Sequence, residues 1–182
     1  MAHYAKIDSS HVVVSVHVVS DANENGSEEN GIKFLTSVHG DISPMYWKKT
    51  SYNTVVNTHR LGGTPFRKNY AGRGMTYDSV RDAFIHARPR KSNAAIDHLS
   101  WIFNEDKCTY EPPVEWPEGP VIHDGKEMIV SWDEHKIRFV GTHGTDLDDA
   151  TAVLYAWDPS AKTWSDTGFT RAQFLDINYT GD

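Results

Sequence analysis

The chain has 182 residues and a formal net charge of -7 at pH 7. This charge argues against nucleic acid as a partner, because phosphate binding needs clustered Lys and Arg side chains, and the one basic run, residues 88–91, is short and contains a proline. Aromatic residues make up 12% of the chain and hydrophobic residues 38%, which favours several small sheets with aromatic cores over one large core.

The first 40 residues predict a β-hairpin and a helix. Residues 3–7 and 12–19 are interpreted as strands, and the valines at positions 12, 14, 16 and 18 predict one fully apolar face on the second strand. Ser27 is the predicted N-cap of a helix over about residues 27–39, with acidic residues in its first turn and Gly40 at its end. We expect this helix to lie across the hairpin.

Residues 67–85 are the stretch around which the rest of the chain is organised, and they predict another hairpin. Residues 75–77 are extended, residues 78–82 form a polar turn in which Asp78 caps its own backbone, and residues 83–85 return. Tyr77 and Phe84 flank the turn seven residues apart, so we expect a cross-strand aromatic pair.

The same pattern recurs three times further along the chain. An aromatic residue is followed by Asp or Asn, then by a polar turn, and then by a second aromatic residue seven positions after the first. The further pairs are Phe103 with Tyr110, Trp132 with Phe139, and Trp157 with Trp164. No nucleophile or ligand set recurs at a fixed offset, so the repeat indicates structural hairpins and not a repeated active site.

Residues 112–120 contain four prolines and cannot form a central strand or a helix interior. We predict an N-terminal β-rich module with one helix over residues 1–111, a Pro-rich linker over 112–120, and a small β module over 121–182. Within the last module, residues 171–175 are interpreted as a short helical turn. The predicted fold class is mainly β, of the α+β type: an N-terminal hairpin with one helix packed on it, followed by successive antiparallel hairpins in small modules.

Several short segments of the first two-thirds of the chain carry a resemblance through their order and spacing. They are residues 1–8, 31–35, 47–53, 67–72, 76–78 and 81–85, the valine-rich second strand, Ser100-Trp101, and Cys108 before Glu111. On these segments, residues 1–117 resemble a family of small virion structural proteins of tailed bacteriophages, common in phages of marine cyanobacteria. The resemblance implies a non-catalytic role in the particle, with no cofactor and no catalytic residues. Residues from about 119 onward lie outside it.

We therefore expect a non-enzymatic bacteriophage virion structural protein, an accessory subunit of the tail or of its fibre attachment. It is expected to assemble in the host cytoplasm, to reside in the virion and not to insert into membranes, since no apolar run approaches membrane-spanning length. Its expected partners are other virion proteins of the tail, fibre or capsid, and further copies of itself, because small modules bury little surface alone. Two alternatives stay open: a capsid decoration (cement) protein, and a carbohydrate-binding module that contacts host glycan. A metal-dependent hydrolase is a third hypothesis.

Two places in the chain are candidates for binding chemistry. Trp116 and Trp164 are the candidate glycan contacts, with Trp157 near the same turn as the alternative to Trp164, since rings on a β scaffold can serve as platforms for sugars. Packing of each ring within its hairpin core is the alternative interpretation. Residues 143–149 combine carboxylates with a glycine, which suits Ca²⁺, but they lack the spacing of a Ca²⁺ loop, and a solvated acidic turn is the alternative. No nucleophile elbow or phosphate loop occurs, so no catalytic, cofactor or metal residue is predicted.

Overall fold

The computed structural model describes residues 1–90, 97–118, 121–146 and 149–176. The chain divides into two compact units, each of which takes up two separate stretches of sequence. The first comprises Met1–Ala87 and Phe103–Tyr110, and the second comprises Arg88–Ile102 and Glu111–Asp182. Both are built mainly from antiparallel strands, which confirms the mainly β fold of the α+β type. Among the described residues, no helix is both long and apolar enough to cross a membrane.

A three-stranded antiparallel sheet forms the centre of the first unit. Strand β1 (Ala2–Ile7) pairs with β2 (Val13–Val19) on one side and with β3 (Tyr46–Thr50) on the other. Between β2 and β3 lie a short helix, α1 (Asp21–Glu24), and the longer α2 (Glu28–His39). The predicted hairpin and helix are confirmed, with Ser27 at the N-cap position and Gly40 after the last turn at a φ of 75°.

Helix α2 covers one face of this sheet. The core between them contains Ala2, Tyr4, Val19, Leu35 and Trp47. Gly31 lies directly over the Tyr4 ring, and a Cβ atom at this position would overlap that ring. Tyr4 is fully buried, so its ring has no room to move aside. The missing side chain at position 31 therefore sets how closely the helix approaches the sheet.

The hairpin predicted within residues 67–85 covers the opposite face. Its strands are β6 (Thr76–Asp78) and β7 (Ala83–Ile85), and two small strands, β4 (Thr54–Val55) and β5 (Thr58–His59), precede it. The core on this side contains Ala5, Ile7, Val13, Ala71, Met75, Tyr77 and Phe84. The first unit is thus a helix, a sheet and a hairpin in three layers. A second small hairpin, β8 (Ile102–Asn104) with β9 (Thr109–Glu111), follows in the chain.

The prediction that Val12, Val14, Val16 and Val18 form one apolar face of β2 is wrong. Val14 and Val18 are 39% and 54% exposed, whereas Val13 and Val19 are buried. A register shift at the end of β1 pairs Val13 with Ile7 and turns Val13, instead of Val14, towards the hairpin-side core. Val18 lies outside this shift, in regular register opposite His3, so the shift does not account for its exposure. A bulge of this kind inserts one residue into the alternation of faces, and the period-two pattern cannot reveal where it falls.

The second unit contains one five-stranded antiparallel sheet whose strands lie in sequence order. They are β10 (Ile122–His123), β11 (Lys126–Asp133), β12 (Arg138–His143), β13 (Val153–Asp158) and β14 (Thr163–Thr170). The two predicted C-terminal hairpins join because β12 pairs with β13, with Val140 opposite Ala156. A 3-10 turn (Gly144–Asp146) follows β12, and the predicted helical turn is confirmed as α3 (Arg171–Leu175).

The described part of residues 88–102, which the sequence analysis assigned to the first module, belongs to the second unit. The Glu134 carboxylate accepts hydrogen bonds from the Ser100 backbone N–H at 2.7 Å, from its Oγ at 2.8 Å, and from Trp132 Nε1 at 2.8 Å. The Trp101 and Trp132 rings also meet edge to face, with centroids 6.0 Å apart. These contacts join two stretches more than thirty residues apart in sequence, which is why local composition did not indicate them.

The described part of the predicted linker, residues 112–118, also packs on the second unit. Pro117 is fully buried there, and the Trp116 ring lies against Phe139 with centroids 4.4 Å apart. Residues 119–120 and 177–182 lie outside the described residues. Residues 112–118 have no regular secondary structure, as their prolines predict, yet they are a packed part of the second unit.

Candidate functional site

The structure brings together the two rings of each predicted hairpin pair. Their centroid separations fall within the range of about 4.5–7 Å that is usual for interacting rings. They are 5.2 Å for Tyr77 and Phe84, 5.3 Å for Phe103 and Tyr110, 4.9 Å for Trp132 and Phe139, and 5.3 Å for Trp157 and Trp164.

The turns between these rings share one hydrogen-bonding scheme. The Asp or Asn after the first ring accepts backbone N–H groups of the turn through its Oδ1 atom, as Asp78 does from Val80 and Arg81, both at 2.9 Å. Asn104, Asp133 and Asp158 do the same in their own turns. The last turn residue has a left-handed backbone in every copy: Asp82, Cys108, Ile137 and Lys162, with φ of 47°, 50°, 50° and 52°. The repeat is thus a hairpin-closing device.

Arg67 is an important residue that the sequence analysis did not single out. Its guanidinium is buried in the first unit and binds the Glu28 carboxylate through two bonds, Nη1 to Oε1 at 2.8 Å and Nη2 to Oε2 at 3.0 Å. Nε also donates to Asp82 Oδ1 at 2.8 Å, and Nη1 donates to the Lys49 carbonyl at 2.7 Å. Arg67 therefore ties α2, β3 and the β6–β7 turn together.

Hydrogen bonds in this cluster lower the pKa values of its two carboxylates, Glu28 and Asp82. Burial acts to raise the pKa of Glu28, but hydrogen bonds from Arg67 and from the Lys49 backbone N–H outweigh burial and hold that pKa below its ordinary value. The pKa of Asp82 is also lowered, because bonds from the Tyr77 hydroxyl and from Arg67 outweigh its burial. Both carboxylates are therefore held in their charged form by the fold.

Asn69, two residues after Arg67, is a second connecting point. Its Oδ1 accepts the Val56 backbone N–H at 2.8 Å. Its Nδ2 lies within hydrogen-bond distance of three carbonyl oxygens, those of Phe84 at 2.9 Å and of Lys107 and Cys108 at 3.1 Å each. One buried side chain thus joins the loop after β4, strand β7 and the turn between β8 and β9. The motif around residues 67–72 gave no signal for this, because its partners lie up to 39 residues away.

The second unit contains a groove, which is the candidate binding site. Its volume is about 300 Å³, and its apolar lining consists of Trp116, Pro117, Val121, Ile122, Trp157, Pro159 and Trp164. Glu115, Glu118 and Lys162 add charged groups. The ammonium of Lys162 lies 3.9 Å from Glu118 Oε2, so opposite charges meet across the groove. We call this site the indole groove.

Strand register explains why aromatic rings gather on one face of the five-stranded sheet, where Trp157 and Trp164 line the indole groove. Trp132 pairs with Phe139 and Trp157 with Trp164, and the register between β12 and β13 places all four on the same sheet face. The opposite face carries Val140 and Leu154, which pack against Phe174 of α3. Trp164 also leans over Gly141, where a Cβ atom would lie 3.3 Å from its ring.

The two predicted glycan contacts differ in exposure. Trp116 is 52% exposed, whereas Trp164, which also lines the indole groove, is 9% exposed. The structure brings these two residues to one site, together with Trp157, the alternative to Trp164 in the sequence analysis. The Pro-rich stretch gives Trp116 this position by packing on Phe139.

The candidate Ca²⁺ stretch, residues 143–149, is only partly described, since residues 147 and 148 lie outside the described residues. Asp146 Oδ2 lies 3.6 Å from His143 Nδ1 and 4.0 Å from the Lys126 ammonium. Asp149 Oδ1 accepts the backbone N–H and the hydroxyl of Thr151, both at 2.7 Å. Across the described ranges, no group of three or more His, Cys, Asp or Glu side chains is arranged to hold a metal ion.

Cys108 is a free, buried thiol in the turn between β8 and β9. Burial raises its pKa above the ordinary value, which disfavours the reactive thiolate.

Comparison with known proteins gives no relatives: no family model matches this chain, and no curated protein or solved structure shows significant similarity to it.

Proposed function

We propose that the chain is a non-enzymatic structural subunit of a tailed-bacteriophage virion, an accessory protein of the tail or of its fibre attachment. The observation that carries the proposal is that the side chains of Arg67 and Asn69 bond to other parts of the first unit. Both belong to the segment 67–72 that contributes to the resemblance, and both direct their polar atoms to partners inside the first unit. A catalytic segment would aim such groups at a cleft, whereas here they hold the scaffold together.

The outer edge of the first sheet supports assembly with neighbours. The strand order β2-β1-β3 leaves β2 at an edge. Its first residue, Val13, is hydrogen-bonded through its backbone to Gly74 and Met75, and beyond that point the strand exposes Val14 and Val18. An exposed apolar edge strand favours pairing with another chain, and monomeric proteins usually protect such edges with charge. In a virion, the neighbour is another structural protein or a second copy of this chain.

The proposal is tested on purified virions of a phage that encodes this chain. We expect mass spectrometry to find the chain in gradient-purified particles, and a reconstruction to place it at the tail. A location on the capsid surface would favour the decoration role instead. Absence of the chain from the particles would refute both.

A pair of substitutions tests the assembly surface. Val14→Lys with Val18→Lys is expected to reduce incorporation into particles by about tenfold or more, because the charges disfavour pairing of the β2 edge. Val80→Lys is the matched control, since Val80 lies at the tip of the β6–β7 turn and is 92% exposed. Equal incorporation of the double variant and the control would show that this edge is not the contact.

A further inference from the structure

We propose that the indole groove of the second unit binds a short saccharide. The groove combines the two kinds of surface that a sugar ring presents. A pyranose has an apolar C–H face, which packs against flat aromatic rings, and a rim of hydroxyl groups, which donate to carboxylates. Trp116 supplies the exposed ring, and Glu115 and Glu118 supply the acceptors.

The groove is held open by the fold around it. Trp116 is fixed against Phe139 on one side, and its neighbour Pro117 is fully buried. On the other side, Trp157 and Trp164 are paired across β13 and β14. A ligand would therefore enter a site whose aromatic walls are already positioned, which lowers the entropic cost of binding.

The size and the polar lining favour a saccharide over other occupants. A volume of about 300 Å³ is at the low end of the range for small-molecule sites. An aromatic groove can also accept a Pro-rich peptide. However, proline has no backbone N–H, so a polyproline segment offers no donor to the carboxylates of Glu115 and Glu118, whereas the hydroxyl groups of a saccharide can donate to both.

Lys162 gives the groove a charged end. The left-handed backbone at this residue, with a φ of 52°, ends the β13–β14 turn beside the site. Its ammonium can donate to a ring oxygen or a hydroxyl oxygen, while Glu118 nearby accepts. Donor and acceptor together suit neutral sugars, whose hydroxyl groups serve in both capacities.

This inference does not depend on the virion role, because it uses only the geometry of the second unit. The two proposals therefore fail separately: binding is measured on the purified full-length chain, and incorporation is measured on particles.

The test is an array of neutral and acidic glycans probed with the full-length chain, followed by titration of the best soluble oligosaccharide. We expect saturable binding and a change in tryptophan fluorescence. Trp116→Ala is expected to weaken the affinity by about tenfold or more, and Trp116→Phe by less. Leu99→Ala, which removes a 74% exposed apolar side chain elsewhere in the unit, is the matched control and is expected to bind normally.

A second variant keeps the proposal falsifiable if Trp116→Ala loses stability. Glu115→Gln with Glu118→Gln leaves the aromatic walls intact and is expected to reduce affinity, while thermal unfolding stays unchanged. Absence of binding to every glycan on the array would overturn the proposal. Binding of a polyproline peptide without any glycan, or glycan binding that is unchanged in both variants, would also overturn it.

Discussion

At the residue scale, a few polar side chains connect layers that are distant in sequence. Arg67 reaches Glu28 across 39 residues, and Asn69 reaches Cys108 across another 39. Both side chains are buried and bonded internally. Buried polar groups of this kind cost little while every partner is present and much once one partner is removed.

Asn69→Ala is expected to destabilise the protein by about 3 kcal/mol, because it leaves the buried carbonyl oxygens of Phe84 and Cys108 and the Val56 N–H without their partner. Urea unfolding measures the change. Asn23→Ala, at an exposed site in α1, is the control and is expected to change stability by less than about 0.5 kcal/mol. Equal effects of the two substitutions would contradict the connecting role of Asn69.

Glu28 is expected to make stability depend on acid pH. Its pKa in the folded protein lies below the ordinary value of 4.5, so its contribution is present above about pH 4.5 and is lost as the pH falls through the folded pKa. Glu28→Gln is therefore expected to be less stable than wild type by on the order of 2 kcal/mol at neutral pH, and this difference in unfolding free energy is expected to narrow as the pH falls below 4.5.

The measurement is the free energy of unfolding at a series of pH values for both proteins. Glu29→Gln is the matched control on the same helix, because Glu29 pairs with Lys33 at the exposed surface. We expect its stability to remain close to wild type throughout. A constant gap between Glu28→Gln and wild type would show that the Arg67 pair does not contribute the acid dependence.

At the element scale, local patterns were enough to predict the hairpins and the main helix. The spacing of aromatic residues around an Asp or Asn indicated four turns, and each turn is closed by its own side chain and backbone. The bulge in β2, the joining of the C-terminal hairpins and the packing of Ser100 and Trp101 were not predicted. Ser100 and Trp101 contact residues more than thirty positions away, which a local window does not include. The bulge and the joining of the hairpins involve neighbouring strands, but the alternation of residue types shows neither where a bulge falls nor which strands pair.

The indole groove shows the same limit. Trp116 and Trp164 were candidates because of their residue type and neighbourhood, but their meeting at one site depends on the register between β12, β13 and β14. The exposure of each ring follows from that packing and could not be read from composition. The sequence therefore indicated that tryptophans could form a binding site, and the fold determined which of their rings are exposed at the groove.

The last residue of each hairpin turn has a left-handed backbone, and this conformation leads to a prediction about hairpin stability. Ile137 has a φ of 50°, which is unfavourable for a β-branched side chain, and half of that side chain is exposed. Ile137→Gly is expected to stabilise the protein by about 1 kcal/mol, because glycine adopts this backbone without strain. Thermal or urea unfolding measures the effect.

The control for this prediction is Val153→Gly, at a partly exposed β-branched residue within β13. Glycine in a strand loses both entropy and packing, so we expect a loss of about 1 kcal/mol there. Opposite signs at the two positions support backbone strain at Ile137. If both substitutions lowered stability, loss of side-chain packing would explain the result, and strain at Ile137 would not.

At the scale of the whole molecule, the chain leaves the first unit after Ala87 and returns for Phe103–Tyr110. The returning hairpin supplies two of the carbonyl oxygens near Asn69. It also supplies Glu105, which takes two bonds from the Arg81 guanidinium at 2.7 and 2.8 Å. A contiguous cut therefore cannot isolate the first unit without retaining the intervening residues.

Three fragments test this organisation: residues 1–87, 1–102 and 1–111. Only the last contains the returning hairpin, so we expect it to unfold cooperatively and to be more stable than the other two by about 3 kcal/mol, the cost of leaving buried polar groups unpaired. Residues 1–102 are the matched control, because they add chain length without the hairpin. Urea unfolding followed by circular dichroism distinguishes the three. Equal stability of 1–87 and 1–111 would mean that the first unit is complete at Ala87 and that the contacts of Asn69 with Lys107 and Cys108 add nothing to it.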